Sequence, residues 1–158
     1  MWLLCGTALS FAQDTIPAPS FRPDIEIVRT TEPPVVDGLL DDAPWTTAAV
    51  INAFAQVDPL EGAEPSEHTE VRLLYDDRKL YIGIRCFDSE PDKISARQMQ
   101  RDAGLRTDDR VGVMIDTFLS RRNGYFFQIG AGGGRRDGLV EVSRSTNYDW
   151  DGLWEGKT

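Results

Sequence analysis

The 158-residue chain predicts an all-β fold, an antiparallel β-sandwich with a short N-terminal helix, and three observations carry that prediction. From Glu70 to Phe87, Val71, Leu73 and Tyr75 and then Leu80, Ile82, Ile84 and Cys86 recur at every second position, the period of a strand. Asp76-Asp77-Arg78-Lys79 between them reads as the turn of an antiparallel hairpin at the centre of a sheet. A second alternating run spans Asp108 to Asp116, and turn-forming residues separate several further short apolar stretches with no regular helical alternation.

The elements follow in order. Met1 to Ala12 carries no charge, Trp2 to Leu9 is apolar or small, and Ser10-Phe11-Ala12 supplies small residues for cleavage, the composition of a secretory signal that lacks a leading Lys or Arg. Cys5 is no lipidation site, because Leu4 is large where a small residue is required. Residues 13–24, rich in Pro, Ser and Thr, read as a linker, and 25–158 as one domain. Ile25, Ile27 and Val28 predict a first short strand, ended by Pro33-Pro34, and Val35-Val36-Asp37-Gly38 an edge or turn. Leu40 to Trp45 opens a short helix with Asp41 or Asp42 as its cap, Pro44 in its first turn and Trp45 plugging the core. Phe54 to Val57 reads as a weak strand and Asp58 to His68 as an acidic loop. After the hairpin come a turn at Asp88 to Asp92 and a short irregular or helical piece at Ile94 to Met99. The next strand puts Val111, Val113 and Ile115 on one face. Asn123-Gly124 is read as the tip of a hairpin turn, Tyr125 to Ile129 as its returning strand, Gly130 to Gly134 as a bend, and Asp137 to Val142 as a last strand.

Composition excludes several functions. Hydrophobic residues at 41% and charged residues at 27% rule out wholesale disorder. A formal charge of -9 and a pI near 4.6 argue against nucleic acid and against an anionic membrane surface, since both require clustered Lys and Arg. No later apolar run reaches the ~18 residues of a membrane span. Cys86, on an apolar strand face, is expected to be a small buried hydrophobe. His68 is the sole histidine and reads as a solvated loop residue, for neither a triad nor a zinc site has enough partners. The acidic pairs Asp41-Asp42, Asp76-Asp77 and Asp108-Asp109 are common by chance among 26 carboxylates, and no apolar pocket flanks them to make one a general acid. Gly130-Ala131-Gly132-Gly133-Gly134 is not a phosphate loop, because neither Lys-Ser/Thr nor a helix follows. No catalytic residue is assigned.

The tail is the most informative local pattern. Asn147, Asp149 and Asp151 place side-chain oxygens at alternate positions before Gly152, as at the opening of a calcium loop, which makes Asp149 and Asp151 candidate calcium ligands. Two departures are that the first position is Asn rather than Asp and that Thr158 stands where a closing Glu belongs; the other reading is a polar turn. Tyr148, Trp150 and Trp154 are interleaved with these oxygens, as in sugar sites where a pyranose face stacks on a ring while polar neighbours bond its hydroxyls. The competing reading is that the two tryptophans fill the core.

Together, Val36-Asp37-Gly38-Leu39-Leu40-Asp41-Asp42-Ala43-Pro44-Trp45, Glu70-Val71-Arg72-Leu73-Leu74-Tyr75-Asp76-Asp77 with Leu80-Tyr81-Ile82-Gly83-Ile84-Arg85, and Asp108-Asp109-Arg110-Val111-Gly112-Val113-Met114-Ile115-Asp116-Thr117 resemble a known domain. From about Ile25 to Thr158 the chain resembles the family 9 carbohydrate-binding modules, in the variant at the N-terminus of bacterial envelope proteins that continue into a β-barrel. The resemblance implies a DOMON-related β-sandwich that binds a glycan or oligosaccharide without catalysis, in chains that carry glycoside hydrolase activity elsewhere. It also implies two tryptophans clamping the sugar, polar side chains bonding its hydroxyls, and structural calcium in some members. The candidates here are Trp150, Trp154 and Tyr148 as the platform, with Arg85, Asp109, Arg110 and Asn147 as hydrogen-bond partners. Family members continue past Glu155 into a strand that closes the sandwich, so the resemblance implies a domain truncated at its C-terminus, with a downstream domain of the same chain as partner. The expected location is exported: periplasmic, outer-membrane associated or secreted. A docking domain for a barrel is the first alternative, and burial of the aromatic rings would mark it. Part of a glycoside hydrolase acting on O-glycosyl bonds is the second, and requires two carboxylates facing each other at roughly 5 to 10 Å.

Overall fold

A computed structural model describes residues 24–142 and 145–158. The expected signal at 1–12 and all of the expected linker except Asp24 lie outside them. The architecture is all-β and sandwich-like, with two sheets. Among the described residues no helix is long and apolar enough to cross a membrane.

The first sheet contains β1 (Val28–Arg29), β2 (Ala49–Ile51), β3 (Thr69–Tyr75) and β4 (Leu80–Cys86). The alternating hairpin forms as expected, with β3 and β4 antiparallel from Thr69↔Cys86 to Tyr75↔Leu80. Only β3 is central, however, and β4 is an edge. The other side of β3 is shared end to end: β2 pairs antiparallel with Val71 to Leu73, and β1 pairs parallel with Leu74 and Tyr75.

Leu74 and Tyr81 lie opposite each other in this hairpin and are 0% and 7% exposed. Trp45, 5% exposed, packs with them and with Leu40 and Ala48, so it is the core plug that its sequence context predicts. The core therefore forms on the Leu74 face of β3. Gly83 makes this possible: a Cβ there would stand 2.6 Å from Leu40 Cδ2 and 3.2 Å from Trp45 Cη2. Arg72, on the same face, donates to the Trp45 carbonyl at 2.8 Å and to the Glu70 carboxylate at 2.6 Å. Cys86 belongs to the opposite face and is exposed, which corrects its expected burial.

The expected N-terminal helix is a five-residue 3-10 segment, Ala43–Thr47. Thr46 and Thr47 bond their hydroxyls back to the carbonyls of Ala43 and Pro44 at 2.7 and 3.0 Å, which competes with continuation of a helix. Asp42 holds the N-cap position but makes no cap bond; its carboxylate accepts the Val35 N–H at 2.8 Å instead. Phe54 to Val57 forms no strand, because Gln56 closes a loop: its N–H bonds Ala63 and its carbonyl accepts from Gly62, both at 2.9 Å. The strand in this region is β2, just before it.

The second sheet is an antiparallel meander of β5 (Arg110–Ile115), β6 (Asn123–Gly130) and β7 (Arg135–Glu141). Val111, Val113 and Ile115 share one face, as expected, opposite Ile129, Phe127 and Tyr125. In β7 the same face continues through Arg135, Asp137 and Leu139. Asn123-Gly124 is not a hairpin tip; the two residues begin β6 and pair with Glu141 and Val140. The turn lies before them, around Asp116, whose carboxylate accepts the N–H groups of Phe118, Ser120 and Arg121 at 3.2, 3.1 and 2.5 Å. Between β6 and β7 the Gly-rich run, read as a bend in the sequence, forms the hairpin loop, with Gly133 at φ +81. Beyond β7, Asn147 forms an isolated bridge to Leu139, and the tail then crosses the second sheet.

Candidate functional site

The tail crosses the Phe127 face of the second sheet and presses both tryptophans against it. Trp150 lies 5.1 Å from Tyr125 and 6.0 Å from Phe127, and Trp154 lies 5.4 Å from Phe127, measured between ring centroids. Phe127 thus sits between two indoles in edge-on contacts, each worth about 0.5–1.5 kcal/mol beyond burial. Both indoles are half-buried. Gly152 permits the close approach, since a Cβ there would stand 2.9 Å from Trp150 and 3.1 Å from Phe127.

Asp137 fastens the tail. Its carboxylate, 1% exposed, accepts the Gly152 N–H at 2.5 Å through Oδ2 and Arg101 Nη2 at 3.3 Å through Oδ1. The same Arg101 nitrogen bonds Asp151 at 2.7 Å, and Arg101 Nε approaches Asp102 at 3.4 Å. One oxygen from each of Asp102, Asp137 and Asp151 lies within 4.8 Å of the others, and the guanidinium contacts all three residues. Its hydrogen bond to Asp151 is the foremost cause that raises its pKa above the ordinary value, so it remains a full cation.

Beside Trp154 is a cleft of about 320 Å3 lined by Gly132, Gly133, Arg135, Glu155, Lys157 and Thr158 among others. Arg135 belongs to both features, for its guanidinium lies 5.6 Å from the Trp154 ring. Among the described residues no hydrogen bond or ion pair engages the side chains of Arg135, Glu155 or Lys157.

The residues singled out in the sequence do not all meet here. Trp150 and Trp154 come together. Tyr148 lies on the opposite face of the sheet, against Gly138 and 3.3 Å below the Arg136 guanidinium. The Asn147 side chain accepts the Asp149 N–H at 3.0 Å, a local turn. Asp109 accepts the Ser95 N–H at 2.7 Å, and Arg110 donates to the carbonyls of Leu105 and Asp108 at 2.9 and 3.1 Å, so both organise the loop before β5. Arg85 is on the first sheet, paired in register with Glu70. Asp151 groups with Asp102 and Asp137, and Asp149 does not belong to that group. His68 is exposed, with its ring 5.3 Å from Phe87.

Tyr125, Phe127, Arg101 and Asp137 were missed in the sequence. In β7 Asp137 shares a face with Leu139 and meets Phe127 across the ladder, a position where a lone carboxylate must be partnered but which only the strand register reveals.

Residues 36–129 match the family model described as carbohydrate family 9 binding domain-like. The match covers more than half of the chain and ends before the tail that carries Trp150 and Trp154. Neither a curated protein nor a solved structure matches the chain. Membership supports carbohydrate binding in general. The chain belongs to the carbohydrate family 9 binding domain-like family.

Proposed function

We propose that this family member is a non-catalytic glycan-binding module of an exported protein, and that it holds an oligosaccharide against Trp150 and Trp154. One observation carries the reading: two half-buried indoles share a sheet face beside a cleft whose Arg135, Glu155 and Lys157 side chains are unbonded among the described residues. Stacking on an indole removes the apolar face of a pyranose from water, and neighbouring charged groups then bond its hydroxyls. A docking domain would enclose both rings, and these are only half enclosed.

In this reading Arg135, Glu155 and Lys157 take the hydrogen-bonding role for which Arg85, Asp109, Arg110 and Asn147 were candidates. Asp109 and Arg110 already hold their own loop, and Asn147 its own turn. Export rests on the composition of residues 1–12, and the module acts beside a downstream domain of the same chain.

The test is a titration of neutral and acidic oligosaccharides followed by tryptophan fluorescence, with far-UV circular dichroism as the control for folding. A saturable change that disappears in Trp154→Ala and weakens in Trp150→Ala is expected. A folded protein that responds to no glycan would overturn the reading.

A further inference from the structure

The family resemblance implies structural calcium in some members, and the chain brings three carboxylates together beside the tryptophan face. Asp102 lies in the loop before β5, Asp137 in β7, and Asp151 in the tail between the two tryptophans. Three like charges within 4.8 Å repel one another, and one of them, Asp137, is 1% exposed. Such a group requires a cation.

The cation is part of the chain. Arg101 reaches Asp151 at 2.7 Å, Asp137 at 3.3 Å and Asp102 at 3.4 Å. Calcium takes six to eight oxygens at about 2.3–2.6 Å. Here three carboxylates converge and a guanidinium already sits among them, so calcium does not fit without displacing Arg101.

We infer that Arg101 is a positioning residue for the tryptophan face, its guanidinium standing in for a metal ion, so that the site is held without calcium. The inference rests on reading Trp150 and Trp154 as the glycan platform. Arg101 acts through two connections. It balances Asp137, which holds the Gly152 amide, and it engages Asp151 directly. The next residue, Asp102, donates its N–H to the Arg135 carbonyl at 2.8 Å, which ties the same loop to the arginine shared by Trp154 and the cleft.

The test compares the wild-type protein with Arg101→Ala and Arg101→Lys, each in EDTA and in millimolar calcium chloride. Its three readouts are thermal midpoint, oligosaccharide affinity, and terbium luminescence sensitised by tryptophan. In the wild type, EDTA and calcium are expected to change neither midpoint nor affinity, and terbium to show no saturable signal. In Arg101→Ala the midpoint falls, the affinity drops on the order of tenfold, about one ring contact, and terbium and calcium gain a saturable site that restores both. Arg101→Lys retains a cation and lies between.

A wild type whose midpoint rises with calcium, or that binds terbium at this site, overturns the inference. So does an Arg101→Ala protein whose midpoint is unchanged and that gains no terbium signal. If Arg101→Ala fails to fold, the wild-type arms and Arg101→Lys still decide. If no glycan binds at all, the glycan reading falls alone, because the metal and stability arms do not depend on it.

Discussion

Asp137 accepts the amide hydrogen of Gly152 at 2.5 Å, and Gly152 lies midway between Trp150 and Trp154 in the chain. One carboxylate on β7 therefore sets the height at which both indoles meet the sheet. The burial of Asp137 makes the bond costly to lose, since a carboxylate without donors there is shielded from water.

Replacing Asp137 separates the two roles of that carboxylate. Asp137→Ala leaves the Gly152 amide unbonded and Arg101 without its buried partner, and is expected to cost about 2–3 kcal/mol in urea unfolding, with a red shift of tryptophan emission. Asp137→Asn keeps an acceptor for Gly152 and loses only the charge, so it should cost less. Equal losses in the two variants would mean that the Gly152 bond contributes nothing.

The core offers a prediction of the opposite sign of volume. Gly83 leaves room for Leu40 and Trp45, and a branched side chain would enter that space. Gly83→Val should destabilise by about 2 kcal/mol through overpacking, and Gly83→Ala by less, because the terminal methyl of Leu40 can swing away. Chemical unfolding measures both, and a neutral Gly83→Val would show that Trp45 is free to move.

How much of this was legible in the sequence depended on how local the determining signal is. The β3–β4 hairpin was readable because its alternation is written in the chain itself, from Val71 to Ile84. Which face becomes core was not, since both faces carry apolar residues and the choice rests on Gly83 admitting Trp45 from 38 residues away. Asn123-Gly124 is a strong turn signal in isolation, but Asp116 builds the turn earlier by collecting three amides, so the pair enters the ladder. In the site, Trp150 and Trp154 stood out by residue type. Arg101, Tyr125, Phe127 and Asp137 did not, because their meaning comes from a register and a tail crossing that no spacing encodes.

That Asp116 turn also predicts a pH dependence. The Arg121 N–H first, then the Ser120 and Phe118 N–H groups, hold its carboxyl below the ordinary 3.8 against the opposing effect of burial. A carboxyl lowered by folding stabilises the protein above its unfolded pKa, and the contribution is lost as pH falls through the lower folded value. Asp116→Asn should therefore lower the thermal midpoint at pH 7 and converge with the wild type at strongly acidic pH. A gap that stays constant down to pH 2 would exclude the charge as its cause.

Tyr81 and Asp76 give the alkaline counterpart. The Tyr81 hydroxyl donates to Asp76 at 2.7 Å, and burial first, with that bond second, pushes its pKa up to about 12 from 10.0. The folded state thus retains a proton that the unfolded chain gives up, so the stabilisation is whole below pH 10 and lost as pH rises toward about 12. Tyr81→Phe removes both the bond and the titration. It should cost about 1 kcal/mol at pH 7, and the cost should shrink between pH 10 and 12 as the wild type weakens and the variant does not. Absorbance at 295 nm supplies the independent check, with one tyrosine of the wild type ionising later than the others and that late step absent from Tyr81→Phe.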